Sequence, residues 1–376
     1  MISNDDLRVP ISDNERMILD IVRRSMPIGR SSIAPRTNLT QQSVHRLIEG
    51  LIERGFLRIG APLKGMRGQP SPTIELAATA GYSVGISVNT DSATLCLADF
   101  CCRIVEEEEL EIGPQDRMRT LDALSERLAA MMARHSIARS QLIGLGFSIS
   151  GFFVDEGRAF NAPEPLRDWS LIDLKPILKA QFGLPVWMDN NATTAAVGES
   201  LRGAGLWCST FAYLSFNYGF GGGLILNGRP YHGFHGNAGE FSGIYEPEEA
   251  HHRPALQYLL RALQAEGVDV GSVEDMRRRF DPAWPGVEAW LDQTMPLLNR
   301  LVATLVTVLD PQAIVFGGQL PRALGEMMIA RVRMPSSRPH RYNAPPAEAR
   351  LVLAETAGDA AAIGAALMPL KMIYFL

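Results

Sequence analysis

The chain is poor in cysteine: 376 residues hold only Cys96, Cys101, Cys102 and Cys208. None forms a C-x-x-C pair, and no histidine cluster stands at zinc-finger spacing. A disulfide framework and a Cys/His metal centre are therefore not expected, and the thiols read as reduced and cytoplasmic. Adjacent Cys101 and Cys102 read as packing residues. Long apolar runs are missing too. The stretch 301–309 is closed by Arg300 and Asp310, well short of the ~20 residues that a membrane span needs. Residues 1–8 are polar, without the apolar core of a signal peptide. Nor is positive charge in excess: 36 Lys+Arg face 41 Asp+Glu, a net charge of −5. That excludes a polycation that coats nucleic acid over its whole surface. What remains is a soluble globular composition, 46% hydrophobic, long enough for two to three domains.

The average charge hides a split. Residues 1–76 carry 11 Lys+Arg against 8 Asp+Glu, and between Arg16 and Arg67 ten basic residues are opposed only by Asp20, Glu49 and Glu53. A basic block on an acidic body is the balance of a nucleic-acid-binding module attached to something else. Asp13 or Asn14 is expected to cap a helix running to about residue 25, and a second helix is expected over 31–37, with Pro35 tolerable only in its first turn. Thr40 is expected to cap a third, whose Val44, Leu47, Ile48, Leu51 and Ile52 follow helical spacing. Its other face shows Gln41, Gln42, Ser43, His45 and Arg46. Residues 56–59 and 73–76 read as strands around a Gly/Pro-rich segment carrying Lys64 and Arg67.

Three helices and a basic hairpin form the pattern of a winged helix-turn-helix. Gln41, Gln42, Ser43, His45 and Arg46 would then reach base edges, and Lys64 and Arg67 the phosphate backbone. The same pattern suits a small protein-interaction domain whose polar face is merely solvated.

From Tyr82 onward the chain alternates strands and helices, an α/β pattern. A hairpin over 83–100 turns at Asn89-Thr90-Asp91-Ser92, and Glu106–Glu109 reads as a solvated strand edge. A second half begins near Thr210 and carries Gly219-Phe220-Gly221-Gly222-Gly223 and Gly236-Asn237-Ala238-Gly239-Glu240. Two α/β halves, each opening with a hairpin and a turn, imply two lobes and a cleft. Taken singly, the Gly-rich turns are equally compatible with plain tight turns.

Taken together, the segments resemble the ROK family, sugar kinases of the actin-like ATPase fold and the transcriptional repressors derived from them. The resemblance runs over essentially the whole chain. It rests on Gly68-Gln69-Pro70, Asn161, Leu184-Pro185-Val186, Asp189-Asn190-Asn191-Ala192, Gly198-Glu199, the two Gly-rich turns, Gly317-Gly318 and Ala362-Ile363-Gly364-Ala365-Ala366.

It implies a two-lobed actin-like (ribonuclease H-like) α/β body behind an N-terminal winged helix-turn-helix. The expected boundaries are 1–77 for the DNA-binding domain, 78–200 completed by 358–376 for the first lobe, and 201–357 for the second.

The family's kinases need Asp-x-Gly-Gly-Thr in the first hairpin, where this chain has Asn89-Thr90-Asp91. Their Gly-Thr-Gly is Asn217-Tyr218-Gly219 here, and their catalytic Asp is Asn191. An amide cannot take a proton from a sugar hydroxyl at neutral pH. The family's zinc cysteines are absent after Gly243, leaving only His251-His252. The expectation is therefore no catalysis, no metal and no cofactor.

Asn161, Asn190, Asn191 and Glu240 match the family's sugar-hydroxyl positions and are the expected effector ligands. The lesser alternative for Glu240 is a structural carboxylate bonding loop amides. Gly243 replaces a histidine that binds sugar in the family. The resemblance thus implies a cytoplasmic regulator, a repressor of carbohydrate uptake or catabolism genes. It would bind a palindromic double-stranded operator as a homodimer or homotetramer and sense a sugar or sugar derivative. The competing expectation is an active ATP-dependent sugar kinase with an appended helical domain.

Overall fold

The computed structural model describes residues 10–62, 72–154, 159–334, 348–356 and 358–376. The chain divides into two compact units: Met1–Ser150 with Ala162–Asp189 and Ala362–Leu376, and Gly151–Asn161 with Asn190–Ala361.

The first unit opens with the helix Asp13–Ser25. Its cap is Ser12, whose hydroxyl accepts the Glu15 amide while the Glu15 carboxylate returns to the Ser12 amide, a reciprocal capping box. Asp13 and Asn14, the expected caps, lie inside the first turn. The expected second helix is instead two short 3-10 turns, Arg30–Ser32 and Ala34–Arg36. Pro35 within the latter has no amide hydrogen with which to extend it.

Next comes the helix Gln41–Glu53, capped by Thr40. The strands Leu57–Gly60 and Thr73–Leu76 pair antiparallel, and a two-residue strand, Ile28–Gly29, adds to the other edge of Thr73–Leu76. Ile18, Leu19, Val22, Val44, Ile48, Leu51 and Ile74 make the buried core of this small layer.

A five-stranded sheet follows. Tyr82–Val88 lies at its centre, antiparallel to Ala93–Asp99 and parallel to Leu142–Ile149. Val186–Asn190 and Ile104–Glu109 form the edges. The acidic edge strand is tied down by the helix Arg117–Arg134: the Arg134 guanidinium reaches Glu106 and Glu108 at 2.6 and 3.2 Å. Its hydrogen bond to Glu106 holds that carboxyl below its ordinary value.

The terminal helix Ala360–Ile373 is built of small residues for a reason. Gly85 and Gly146 are register partners on neighbouring strands. A Cβ on either would lie 2.2 Å from the Ala366 nitrogen or 1.9 Å from the Ala365 carbonyl oxygen. The helix therefore rests on bare backbone. Beyond it, Tyr374 and Phe375 close an aromatic cluster with Phe56 and Phe100 at ring separations of 5.0–5.7 Å. The Arg16 guanidinium donates to the Phe375 carbonyl at 2.8 Å.

The second unit repeats the plan of hairpin plus parallel strand. Phe211–Phe216 pairs antiparallel with Phe220–Leu226 and parallel with Ala313–Gly318, and Arg350–Leu353 and Arg229–Pro230 complete five strands. The helix Asn191–Arg202 packs against Phe220–Leu226, where a Cβ on Gly223 would stand 2.7 Å from that of Ala196. The other face carries the main core, in which the helix Val287–Leu309 contributes Trp290, Leu291, Leu298, Leu301 and Val302. All four cysteines are buried and unbridged, and burial pushes the Cys101 thiol up to about 11. Among the described residues, no helix is long and apolar enough to cross a membrane.

Candidate functional site

The helix Gln41–Glu53 stands on Val44, Ile48 and Leu51, all buried. The opposite face therefore turns outward. Gln41, Gln42, His45 and Arg46 are exposed and Ser43 is half-buried. Among the described residues, the side chains of Gln41, Gln42 and Arg46 have no hydrogen-bond or ion-pair partner. Two others are already engaged. The Thr40 hydroxyl accepts the Ser43 amide at 3.2 Å and donates to the Ser43 hydroxyl at 2.9 Å. His45 Nδ1 stands 3.2 Å from Arg30, whose guanidinium also binds Glu49. Arg30, fifteen residues away in sequence, carries no motif that announces it. Lys64 and Arg67 lie outside the described residues.

In the second unit the four expected effector residues differ in burial. Asn190 and Asn191 are buried at the start of the helix Asn191–Arg202. Asn190 is its cap: its side-chain oxygen accepts the Thr193 amide at 2.8 Å. Asn161 and Glu240 are exposed, and neither side chain has a partner among the described residues. Glu240 keeps solvent access, yet the protein around it strips part of its hydration, which raises its carboxyl above the usual value. A carboxylate serving loop amides would show the opposite pattern, bonded and lowered.

Asn237 joins the exposed pair. Its side-chain oxygen accepts the Phe153 amide at 2.8 Å and its nitrogen donates to the Phe153 carbonyl at 2.9 Å, as a strand neighbour would. Phe153 belongs to the strand Phe152–Val154, which pairs with Ala159–Asn161 so that Phe152 faces Asn161. The Glu240 amide in turn donates to the Asn237 carbonyl at 3.2 Å. Sequence reading placed Asn237 in a Gly-rich turn without a role. A bond between loops 84 residues apart leaves no local signal.

At the end of the strand Ala313–Gly318 two main-chain amides are bonded from within. The Gly318 amide donates to the Tyr213 hydroxyl at 2.8 Å and the Gln319 amide to Asn217 Oδ1 at 3.0 Å. Asn217 also donates to Ser215 at 2.9 Å. A cavity of about 110 Å³ lies at this strand end, lined by Gly317, Gly318, Arg322 and Leu353 among others. Pockets for drug-sized ligands run to roughly 300–1,000 Å³. In the first unit, the turn after Val88 presents Asp91 as an exposed carboxylate. Glu199 is fully buried. Burial raises its carboxyl, and it accepts the Ala204 amide at 2.9 Å and the Thr356 hydroxyl at 3.1 Å, a structural role. Among the described residues, no three His, Cys, Asp or Glu side chains are grouped to hold a metal ion.

Residues 83–252 match the family model described as ROK family. The uncharacterized protein y4fQ of Sinorhizobium fredii is 27% identical over 97% of this chain and 92% of its own length. The xylose repressor of Bacillus spizizenii is 26% identical over 60% of this chain and 59% of its own. The glucokinase of Halalkalibacterium halodurans is 26% identical over 67% and 84%. Among solved structures, a ROK family transcriptional regulator, a homologue of the Escherichia coli MLC protein, superposes with a TM-score of 0.69. It is 18% identical, with 96% of each chain covered.

Proposed function

Starting from a chain whose residues 83–252 carry a ROK-family domain, we propose that it is a DNA-binding transcriptional regulator. It acts as a repressor of carbohydrate uptake or catabolism genes, and its kinase-like body senses a sugar without phosphorylating it. The observation that carries this reading is the helix Gln41–Glu53, held by a buried face and presenting Gln41, Gln42 and Arg46 outward without partners. Glutamine pairs with adenine and arginine with guanine in the major groove, and short polar side chains at a helix N-terminus are the ones that reach base edges. With Ile28–Gly29, Leu57–Gly60 and Thr73–Leu76 beneath it, this helix is the recognition helix of a winged helix-turn-helix spanning residues 1–77. Ser43 and His45 add contacts once the partners they now hold are released. Lys64 and Arg67 take the phosphate backbone. One such module covers a short stretch of duplex, so a homodimer or homotetramer on a palindromic operator completes the reading.

Asn161 and Glu240 are the groups a neutral polyol would satisfy, because each sugar hydroxyl both donates and accepts. Asn190 and Asn191 contribute from the base of their helix. The alternative, a sugar kinase, is favoured by the glucokinase relative. It has to operate with Asn191 at the place of the catalytic base and with Asn89-Thr90-Asp91 in place of the first hairpin's glycines.

The test is fluorescence anisotropy of the purified protein on DNA from upstream of its own gene, at fixed salt, with unrelated DNA as competitor. Selective binding is expected. Binding that is weak and indifferent to sequence would refute the regulator. Glu240→Ala is expected to abolish release from the operator by sugar, and a still-inducible variant would remove Glu240 from the effector site. ATP-dependent phosphorylation of a hexose, lost in Asn191→Ala, would establish the kinase instead.

A further inference from the structure

The segments that carry the unpartnered Asn161 and Glu240 also carry exposed aromatic side chains that no packing requirement explains. Phe152, the cross-strand partner of Asn161, is 43% exposed, and Phe234 is 97% exposed. Cross-strand partners project to the same face of a hairpin, so Phe152 stands beside Asn161. Phe234 lies at the tip of a loop closed by the bond from the Ala238 amide to the His232 carbonyl, 3.0 Å. That loop is fastened to the Phe152 hairpin twice. Asn237 bonds both main-chain groups of Phe153, and a Cβ on Gly236 would lie 3.2 Å from the Phe153 ring. The aromatic pair and the polar pair therefore belong to one assembly of loops. It is also roomy: three residues beyond Glu240, a Cβ on Gly243 would meet nothing within 4 Å.

We propose that this assembly is a second-ring subsite: the effector is a glycoside, a sugar carrying another ring on one hydroxyl, with Phe152 and Phe234 taking the apolar face of that ring. The proposal rests on the effector reading of Asn161 and Glu240 given above. A monosaccharide occupies the amide and carboxylate groups and leaves both phenyl rings in water. Rings held on a fixed loop lose little freedom on contact, and the C–H face of a pyranose or the π-face of an aryl group removes their surface from water. The shared chemistry is a flat, largely apolar second ring. It comes either from another sugar or from an aryl aglycone.

Calorimetric titration of the full chain with matched sets tests this. Suitable sets are glucose, cellobiose and phenyl β-glucoside; xylose, xylobiose and phenyl β-xyloside; and N-acetylglucosamine with its β-linked dimer. In at least one set a two-ring member is expected to bind ten-fold or more tighter than its parent sugar. In Phe234→Ala that ratio is expected to fall to about two or below. Preference for the disaccharide or for the phenyl glycoside identifies the source of the ring. Phe234 is almost wholly exposed, so its removal leaves the fold intact, which thermal melting verifies. Equal affinities within every set, or a ratio unchanged in Phe234→Ala, would overturn the second-ring subsite while the effector site stands. No binding by any sugar would overturn the effector reading itself, and the subsite with it.

Discussion

Adding one methyl group at Gly146 is expected to be among the most damaging single changes in the first unit. The Cβ would lie 1.9 Å from the Ala365 carbonyl oxygen and 2.6 Å from its carbonyl carbon. Both are backbone atoms of a hydrogen-bonded helix, so no side chain can swing away. The strand is equally fixed, paired in register with Tyr82–Val88. The helix Ala360–Ile373 must then retreat by about an ångström. A radial gap of 0.5–1 Å forfeits roughly a quarter to a half of each dispersion contact, and Ala362, Ala365, Ala366, Leu367 and Leu370, each fully buried, all depend on that contact. Overpacking typically costs about 1–3 kcal/mol, and with backbone on both sides Gly146→Ala belongs at about 3. For a unit of this size that lowers the melting midpoint by roughly 6–12 °C. Differential scanning calorimetry of the full chain reads it, with Gly50→Ala as the internal contrast. Gly50 lies within the helix Gln41–Glu53 of the same unit, and a Cβ there would meet nothing within 4 Å. That substitution is expected to stabilise by about 0.5–1 kcal/mol. A Gly146→Ala midpoint within about 2 °C of the parent would refute the argument that the helix sits on bare backbone.

The remaining predictions concern charge and capping. Burial holds the Lys371 amine down at about 7 against 10.5 in an unfolded chain; the Asp20 charge opposes this, and Arg23, Arg24 and Arg16 add to it. Between those values the unfolded chain binds the extra proton, so stability is expected to rise with pH from about 7 to 10.5. Lys371→Met should flatten that rise in denaturant titrations, and an unchanged slope would exclude Lys371 as its source. Thr40→Ala removes the acceptor of the Ser43 amide and is expected to cost about 1 kcal/mol. Because the frayed turn carries Gln41 and Gln42, affinity for the proposed operator should fall with it, while the salt dependence keeps its slope; a changed slope would mean that a phosphate contact had been lost instead.

Much of this architecture is legible in the sequence where a rule is local. Helical spacing from Val44 to Ile52 places the outward face of the helix Gln41–Glu53, and Thr40 marks its start. The alternation of strands and helices, with small residues at the turns, gives the α/β class. Ser12 with Glu15 is itself a local signature, and it outcompetes Asp13 and Asn14 because only Ser12 stands three residues before a glutamate that can return the bond. What is not legible depends on contacts between distant segments. Ile28–Gly29 is too short to show a strand period. Arg30 meets His45 only after the two turns fold back. That Asn190 and Asn191 are buried while Asn161 and Glu240 are exposed is also invisible beforehand. Whether a side chain is spent on a cap or left open depends on neighbours that the motif does not specify. Asn237 reads as one more residue of a turn until Phe153 is beside it.

The sheet of the first unit is finished by a helix translated long after its strands. Residues 82–149 supply the bare strands Gly85 and Gly146 early in translation, and the surface that covers them arrives only with residues 362–376, after the whole second unit has emerged. Arg16 likewise waits for the carbonyl of Phe375, and Phe56 for the Tyr374 ring. Until residues 362–376 emerge, the nascent chain therefore carries an uncovered sheet face and an unanchored first helix. A product cut before residue 362 would keep every residue of the helix Gln41–Glu53 and still lack the seam that Arg16 and Phe56 make with Phe375 and Tyr374.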